Sequence, residues 1–138
     1  MMPNNLINIK FKQTTLALII KASFKTKPHQ FLTPANNPLQ LGILKFPKNH
    51  TVLAHEHRAL TKTTHQNQEF IYVVSGQIQA EFFNKGESFV KHILNPGDCL
   101  LQLSGGHGFT FLKPTQIITI KQGPYRGRAK EKITLHTA

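Results

Sequence analysis

The sequence predicts an all-β fold, an antiparallel barrel or sandwich. Six short apolar segments follow one another between residues 69 and 122. They are separated by residues that are typical of turns, such as Gly76 and the Pro-Gly of residues 96–97. The first half of the chain contains neither a heptad repeat nor a convincing helix. Regular short strands divided by turn residues are typical of antiparallel barrels and sandwiches.

The first half of the chain is predicted to contain four strands. Residues 5–11 and 15–24 are rich in apolar side chains, and in the second segment these occupy both faces, as in a strand that is partly covered on each side. A connection rich in proline and asparagine follows over residues 27–38, with at most one short edge strand. Residues 39–46 and 52–57 are the next predicted strands, with a Pro-Lys-Asn-His turn between them.

In the second half, the alternation of side chains along a strand predicts which residues face the interior. If Glu69 points inward at the head of its apolar run, Ile71 and Val73 point inward too. A carboxylate in that place is costly without a partner that offsets its desolvation. The other residues predicted to share an inner face are Ile78, Ala80 and Phe82 on one strand and His107, Phe109 and Phe111 on another. The predicted strands are residues 69–75, 77–84, 87–94, 98–103, 108–112 and 116–122.

Histidines and one carboxylate are spaced so that their side chains can converge. His55 and His57 flank Glu56, so in a strand both imidazoles lie on one side, about 7 Å apart along the backbone. If that strand pairs with the one that Glu69 opens, two imidazoles and a carboxylate meet at one point. His107 follows two glycines, which allow a sharp bend that brings a fourth ligand to the same pocket.

These residues carry a family resemblance. The spacing of Glu69 and Gly76 behind an H-x-H pair resembles the first motif of the cupin superfamily. The Pro-Gly-Asp of residues 96–98, a short apolar strand and the Gly-Gly-His of residues 105–107 look like its second motif. The resemblance covers roughly residues 40–125, which is most of the chain.

The resemblance implies a cupin-type antiparallel β-barrel, also called a double-stranded β-helix or jelly roll, in a single domain over residues 1–138. The barrel core with both motifs is expected over residues 39–122. N-terminal strands and a connection precede it in residues 1–38, and a basic tail follows in residues 123–138. Cupins usually hold one divalent metal with the motif histidines and glutamate. In this sequence those residues are His55, His57, Glu69 and His107.

The donor set suits several divalent metals, Fe, Mn, Ni, Zn or Co, and does not choose among them. On an octahedral ion it would leave two positions for water, oxygen or a chelating substrate, which is typical of a catalytic site. A second register is open. Eleven residues separate His57 from Glu69, where the family usually leaves three or four, whereas His65 stands four residues before Glu69 with Thr63 in the place of the first histidine.

The polar segment between His57 and Glu69 is expected to be an extended loop or a wide hairpin at the barrel mouth. Loops on a rigid scaffold often carry substrate contacts, so Arg58, Lys62 and His65 are candidates for recognising an anionic group. A solvated loop without that role is the alternative. The substrate pocket is further assigned to Phe82, Phe109 and Phe111.

Three functions compete. The first is a small metal-dependent cupin that acts on a small molecule, with an isomerase, an epimerase and an oxygenase all left open. The resemblance is closest to small single-domain cupins linked with sugar and polysaccharide metabolism, which implies a sugar or sugar-nucleotide substrate. The second function is metal-free epimerase or isomerase chemistry, with His65 or His107 as the base and Tyr72 or Tyr125 as the acid. The third is non-enzymatic binding of a small ligand or a polyanion.

The chain is strongly basic, with 17 Lys and Arg against 6 Asp and Glu and a formal net charge of +11. Such a field suits an anionic small-molecule substrate, although net charge alone carries no information about a site. No Walker loop, zinc finger or RNP-type motif accompanies the charge, so no specific nucleic-acid partner is expected.

The remaining features concern the cellular compartment and the oligomeric state of the protein. The single cysteine, Cys99, excludes an internal disulfide and is consistent with a reducing compartment. The apolar runs are far too short to span a bilayer and no secretory signal is recognisable, so a cytoplasmic protein without a membrane partner is expected. Homodimerisation through exposed edge strands is a family-level expectation. Four other histidines are expected to be surface or hydrogen-bonded residues: His29, His50, His92 and His136.

Overall fold

The structure is a computed structural model that describes residues 5–26 and 29–135. His136 therefore lies outside the described residues. The described residues form ten strands and one short helix. In chain order these are β1 (Leu6–Phe11), β2 (Thr14–Ile20), β3 (His29–Phe31), β4 (Gly42–Leu44), β5 (Glu69–Ser75), β6 (Ile78–Asn84), β7 (Glu87–Leu94), β8 (Cys99–Gln102), β9 (Gly106–Phe111), β10 (Gln116–Lys121) and α1 (Arg128–Glu131).

The chain divides into two compact units, Lys25–Gln66 and a larger unit made of Met1–Phe24 with Asn67–Ala138. The larger unit contains a five-stranded antiparallel sheet in the order β1-β2-β8-β5-β10. Short apolar β8 lies at its centre, where Leu100 pairs with Ile19 on one side and Ile71 on the other. Because paired residues of adjacent strands lie on the same face of the sheet, these three apolar side chains are neighbours, and all three are buried.

A second antiparallel sheet of the larger unit has the order β7-β6-β9. Its central strand β6 directs Ile78, Ala80 and Phe82 into the interior, where each is fully buried. These residues form one core cluster with residues of the five-stranded sheet, Ile71 and Val73 among them. The predicted alternation of faces along β5 and β6 is therefore confirmed.

The smaller unit is built on the two-stranded antiparallel sheet of β3 and β4. In this unit the ring of Phe46 packs against His29 and stacks on His50, with ring centroids 4.9 and 4.8 Å apart. The amide of Gln40 donates to three backbone carbonyls of the proline- and asparagine-rich turn before it, those of Pro34, Ala35 and Asn37. Side-chain hydrogen bonds thus hold a stretch whose prolines cannot donate to a sheet.

The all-β prediction is confirmed, and most predicted strands of the second half lie within a residue or two of the observed ones. The described residues form three antiparallel sheets, and no closed barrel is seen among them. The predicted strand over residues 52–57 is wrong, because those residues are irregular and exposed. Short α1 in the basic tail was not predicted. No helix of the described residues is long and apolar enough to cross a membrane.

Candidate functional site

The site is centred on Glu69, the first residue of β5. Strand β5 lies between β8 and β10, and the register places Gln102 opposite Glu69 on one side and Lys121 opposite it on the other. Directly opposed residues of antiparallel strands share a face. Glu69 therefore stands in a polar row on the same face as the apolar core, at one end of the sheet.

The carboxylate of Glu69 is held by neighbours on β10. The hydroxyl of Thr119 donates a hydrogen bond to its Oε1 at 3.0 Å, and the ammonium of Lys121 lies 3.9 Å from the same oxygen. The second oxygen, Oε2, faces the other sheet. The polar partner that desolvation of this carboxylate demands is thus supplied by the adjacent strand.

His107 comes from the other sheet of the same unit. It lies on β9 opposite the buried Phe82, so its ring points to the interior, and it stacks on Phe109 with ring centroids 4.7 Å apart. Its Nε2 is 3.6 Å from Oε2 of Glu69. Two residues 38 positions apart in the chain, one from each predicted motif, therefore meet between the two sheets.

Burial governs the protonation of His107. Desolvation lowers the pKa of His107 below its ordinary value; the Glu69 carboxylate opposes that effect by favouring the charged ring, while Lys132 and Lys121 add to it. The ring is therefore neutral at pH 7. A neutral imidazole is the form that accepts a proton or ligates a metal.

The histidine pair of the predicted site lies in the smaller unit. His55 and His57 are exposed and belong to an irregular segment rather than a strand, yet their rings are neighbours with centroids 5.4 Å apart. Nδ1 of His55 lies 2.8 Å from the carbonyl oxygen of Leu53. The H-x-H sequence keeps the two imidazoles close together even without strand geometry.

Among the described residues, no group of three or more His, Cys, Asp or Glu side chains is arranged to hold a metal ion. Within the larger unit, the structure brings the predicted ligands Glu69 and His107 together. The four-residue metal site as a whole stays a prediction, and so does the alternative ligand His65, which is exposed in the smaller unit.

The predicted pocket residues fall into different environments. Phe82 is fully buried in the core, Phe109 is half-buried against His107, and Phe111 is 54% exposed. Arg58 is exposed in the smaller unit. Tyr72 alternates with the inward Ile71 and Val73, so it lies on the opposite face of β5, where it is partly exposed. Lys62, the candidate for anion recognition, and Tyr125, the other candidate acid, are both exposed.

Three residues beside Glu69 were missed from the sequence: Gln102, Thr119 and Lys121. The last two join the site only through the pairing of β5 with β10, which the sequence does not reveal. Gln102 could have been noticed in the sequence, because it is a polar residue that continues the apolar run Cys-Leu-Leu. In the structure it is 5% exposed. A buried side-chain amide in a core strand generally makes hydrogen bonds to specific partners.

No protein-family model matches this chain, and no curated protein and no solved structure is significantly similar to it.

Proposed function

We propose that the chain is a small cupin-type protein with a jelly-roll arrangement of strands, which binds a divalent metal and acts on a sugar-like small molecule. Glu69 and His107 are the proposed ligands at its centre, and His55 and His57 are the proposed further donors. The observation that carries the proposal is the 3.6 Å approach of His107 Nε2 to Glu69 Oε2. Each residue comes from one of the two motifs that resemble the cupin pattern.

The chemistry of this pair fits a shared metal. Nitrogen and oxygen ligands bind first-row divalent metals at about 2.0–2.2 Å, so two ligands of one ion lie about 3.0–3.5 Å apart. The separation of 3.6 Å is close to that range. The lowered pKa of His107 supports the same role, because a ligating imidazole must be unprotonated.

A metal bound there would supply polarisation of a carbonyl or hydroxyl oxygen of the substrate. Neighbouring residues orient the two proposed ligands. Thr119 and Lys121 orient the carboxylate of Glu69, and the stacked ring of Phe109 fixes the plane of His107. Partial burial of both ligands excludes most water and strengthens electrostatic interactions with a bound substrate.

Elemental analysis of full-length protein purified without a polyhistidine tag tests the proposal. We expect near-stoichiometric metal in the wild type and its loss in Glu69→Gln and in His107→Gln. His50→Ala, which removes an exposed histidine, is the matched control and should retain the metal. Wild-type protein without metal, or metal that survives both substitutions, would contradict the proposal.

The double variant His55→Ala, His57→Ala tests the remaining ligands separately. We expect it to lose metal as completely as His107→Gln does. If it keeps the metal while Glu69→Gln and His107→Gln lose it, the pair in the smaller unit has no ligating role and the assignment of those two histidines is wrong.

Metal-free acid/base chemistry is the second function, and the lowered pKa of His107 favours it. A neutral imidazole beside a carboxylate can take up a proton and be stabilised when charged, which is what a general base next to a substrate carbonyl requires. Under this alternative, thermal shift of chelator-treated protein against a panel of nucleotide sugars should show binding. A response that appears only after metal is restored would favour the metal-dependent function.

A further inference from the structure

The interior of the larger unit holds an amide oxygen that the fold leaves unused. Gln102, the last residue of β8, is 5% exposed, and its Nε2 donates a hydrogen bond to the backbone carbonyl of Ser104. That bond fixes which end of the amide carries the oxygen. The oxygen, Oε1, is buried and has no hydrogen-bond partner among residues 5–26 and 29–135. Buried polar atoms are nearly always paired, so this one requires an explanation.

The position of Gln102 connects it with the proposed site. The register sets it opposite Glu69 on β5 and opposite the fully buried Ala17 on β2, so its side chain lies on the inner face, one strand away from the carboxylate. The side chains of Glu69 and His107 remain 18% and 23% exposed. Gln102 therefore faces the same interior as these two partly exposed residues.

We propose that Gln102 is a specificity-determining residue that accepts a hydrogen bond from a hydroxyl group of the small molecule bound at Glu69 and His107. The inference rests on the proposed function, and it adds the residue that would select a hydroxylated ligand. An amide oxygen and an ionised carboxylate only accept hydrogen bonds. Placed on adjacent strands, Gln102 and Glu69 select a molecule with at least two hydroxyl groups, such as a polyol or a sugar, and disfavour one that offers ether oxygens instead.

Two other partners would satisfy the oxygen without any ligand. One is a permanently bound water. The other is His107, whose Nδ1 is also buried and has no hydrogen-bond partner among the described residues. A direct hydrogen bond from Nδ1 to the amide oxygen would satisfy both buried atoms without a ligand. Each of these partners would overturn the proposal, and each is visible in an experiment that locates atoms.

Crystals of the full-length protein soaked in ethylene glycol, and parallel crystals soaked in 1,2-dimethoxyethane, test the inference. The two probes share a carbon–oxygen skeleton, but only the first donates hydrogen bonds. We expect a glycol hydroxyl within about 3.2 Å of Gln102 Oε1 and no dimethoxyethane there. The variant Gln102→Met, which keeps the volume and loses the acceptor, should lose the glycol. Equal binding of both probes, no glycol at all, a water that stays in place, or a bond to His107 overturns the inference.

A solution measurement on the wild type covers the case in which Gln102→Met does not fold. The side-chain amide signals of Gln102 in ¹⁵N-labelled protein should shift on titration with ethylene glycol and stay unchanged with dimethoxyethane; no shift with glycol overturns the inference. Metal content is measured on the same samples. If the protein binds metal but no glycol at Gln102, this inference is overturned and the metal proposal stands. If glycol binds at Gln102 in protein that holds no metal, the metal proposal is overturned and this inference stands.

Discussion

Asp98 and Lys21 form an ion pair in the larger unit, with Lys21 Nζ 2.7 Å from Asp98 Oδ2. Asp98 is almost fully buried and also accepts hydrogen bonds from the backbone amides of Ala22 and Asn95 at 2.8 and 2.7 Å. Lys21 in turn donates to the carbonyl of Ile93. One carboxylate therefore ties the end of β2 to the turn between β7 and β8.

Asp98→Ala should lower the free energy of unfolding by about 2–3 kcal/mol, because it removes an almost fully buried carboxylate that accepts three contacts and leaves the partly buried ammonium of Lys21 without its counterion. Asp98→Asn should cost less, since one amide oxygen remains to accept from a backbone amide. Urea denaturation followed by circular dichroism gives both values. The exposed Glu87→Ala is the control and should change stability by under about 0.5 kcal/mol. Equal effects of the Asp98 and Glu87 substitutions to alanine would contradict a structural role for Asp98.

The lowered pKa of His107 makes stability depend on pH. Above about 6.5, the ordinary histidine pKa, the ring is neutral in both the folded and the unfolded chain. Between 6.5 and the lowered folded value, the unfolded chain binds the proton that the folded chain does not. Stability therefore falls with falling pH in that window, by at most about 1.4 kcal/mol per pH unit for one proton. His107→Gln should show a shallower loss of stability between pH 7.5 and 5.

The variant Glu69→Gln separates the two influences on this histidine. Burial lowers the pKa of His107, whereas the Glu69 carboxylate raises it, so removal of the negative charge should lower the pKa further. Titration of the His107 ring proton by NMR measures the change. A pKa that rises in Glu69→Gln, or a wild-type value above the ordinary one, would show that the carboxylate and desolvation do not act in this way.

Two turn glycines with positive φ offer a matched pair of substitutions. Gly76, between β5 and β6, has φ +94°, and a Cβ added there would lie 2.5 Å from the carbonyl oxygen of Pro114 and would overlap Thr115. Gly86 has φ +82°, but a Cβ added there meets nothing within 4 Å. Both alanine substitutions carry the strain of a left-handed backbone, about 1–2 kcal/mol. Only Gly76→Ala adds a clash with backbone atoms.

We therefore expect Gly76→Ala to lower the unfolding free energy clearly more than Gly86→Ala, by about 2 kcal/mol or more beyond the shared strain. Thermal and urea unfolding of the two variants side by side measure the difference. Similar losses in both would mean that the turn at Gly76 moves freely away from Thr115.

Local pattern and turn residues were enough to predict the strands from Glu69 onward. The apolar run after Glu69 and the alternation in β6 fixed both the strands and their faces, since a shift by one residue would expose every core side chain. The strand over residues 52–57 failed for the opposite reason. Its apolar residues, Val52, Leu53 and Ala54, are consecutive rather than alternating and remain exposed. The H-x-H spacing indicates adjacent side chains but supplies no strand partner.

For the candidate site, the sequence predicted the meeting of Glu69 with His107 and missed the surroundings of Glu69. Motif spacing relates residues near in the chain or within a known pattern, whereas Thr119, Lys121 and Gln102 reach Glu69 through the register between strands far apart in sequence. Register depends on the packing of the whole sheet, so no local rule gives it. The buried position of Gln102 beside an acidic residue follows from the same long-range pairing.

Phe82 was predicted as part of a substrate pocket, and its full burial in the core gives that prediction a sharp test. Phe82→Ala should lower the unfolding free energy by about 3–5 kcal/mol, because it removes a large buried ring and leaves a cavity. Phe111→Ala, two strand positions beyond Phe109 and 54% exposed, is the matched control and should cost under about 1 kcal/mol. Urea unfolding gives both values. A small loss for Phe82→Ala, together with weaker binding of a nucleotide sugar, would place this ring at a pocket wall rather than in the core.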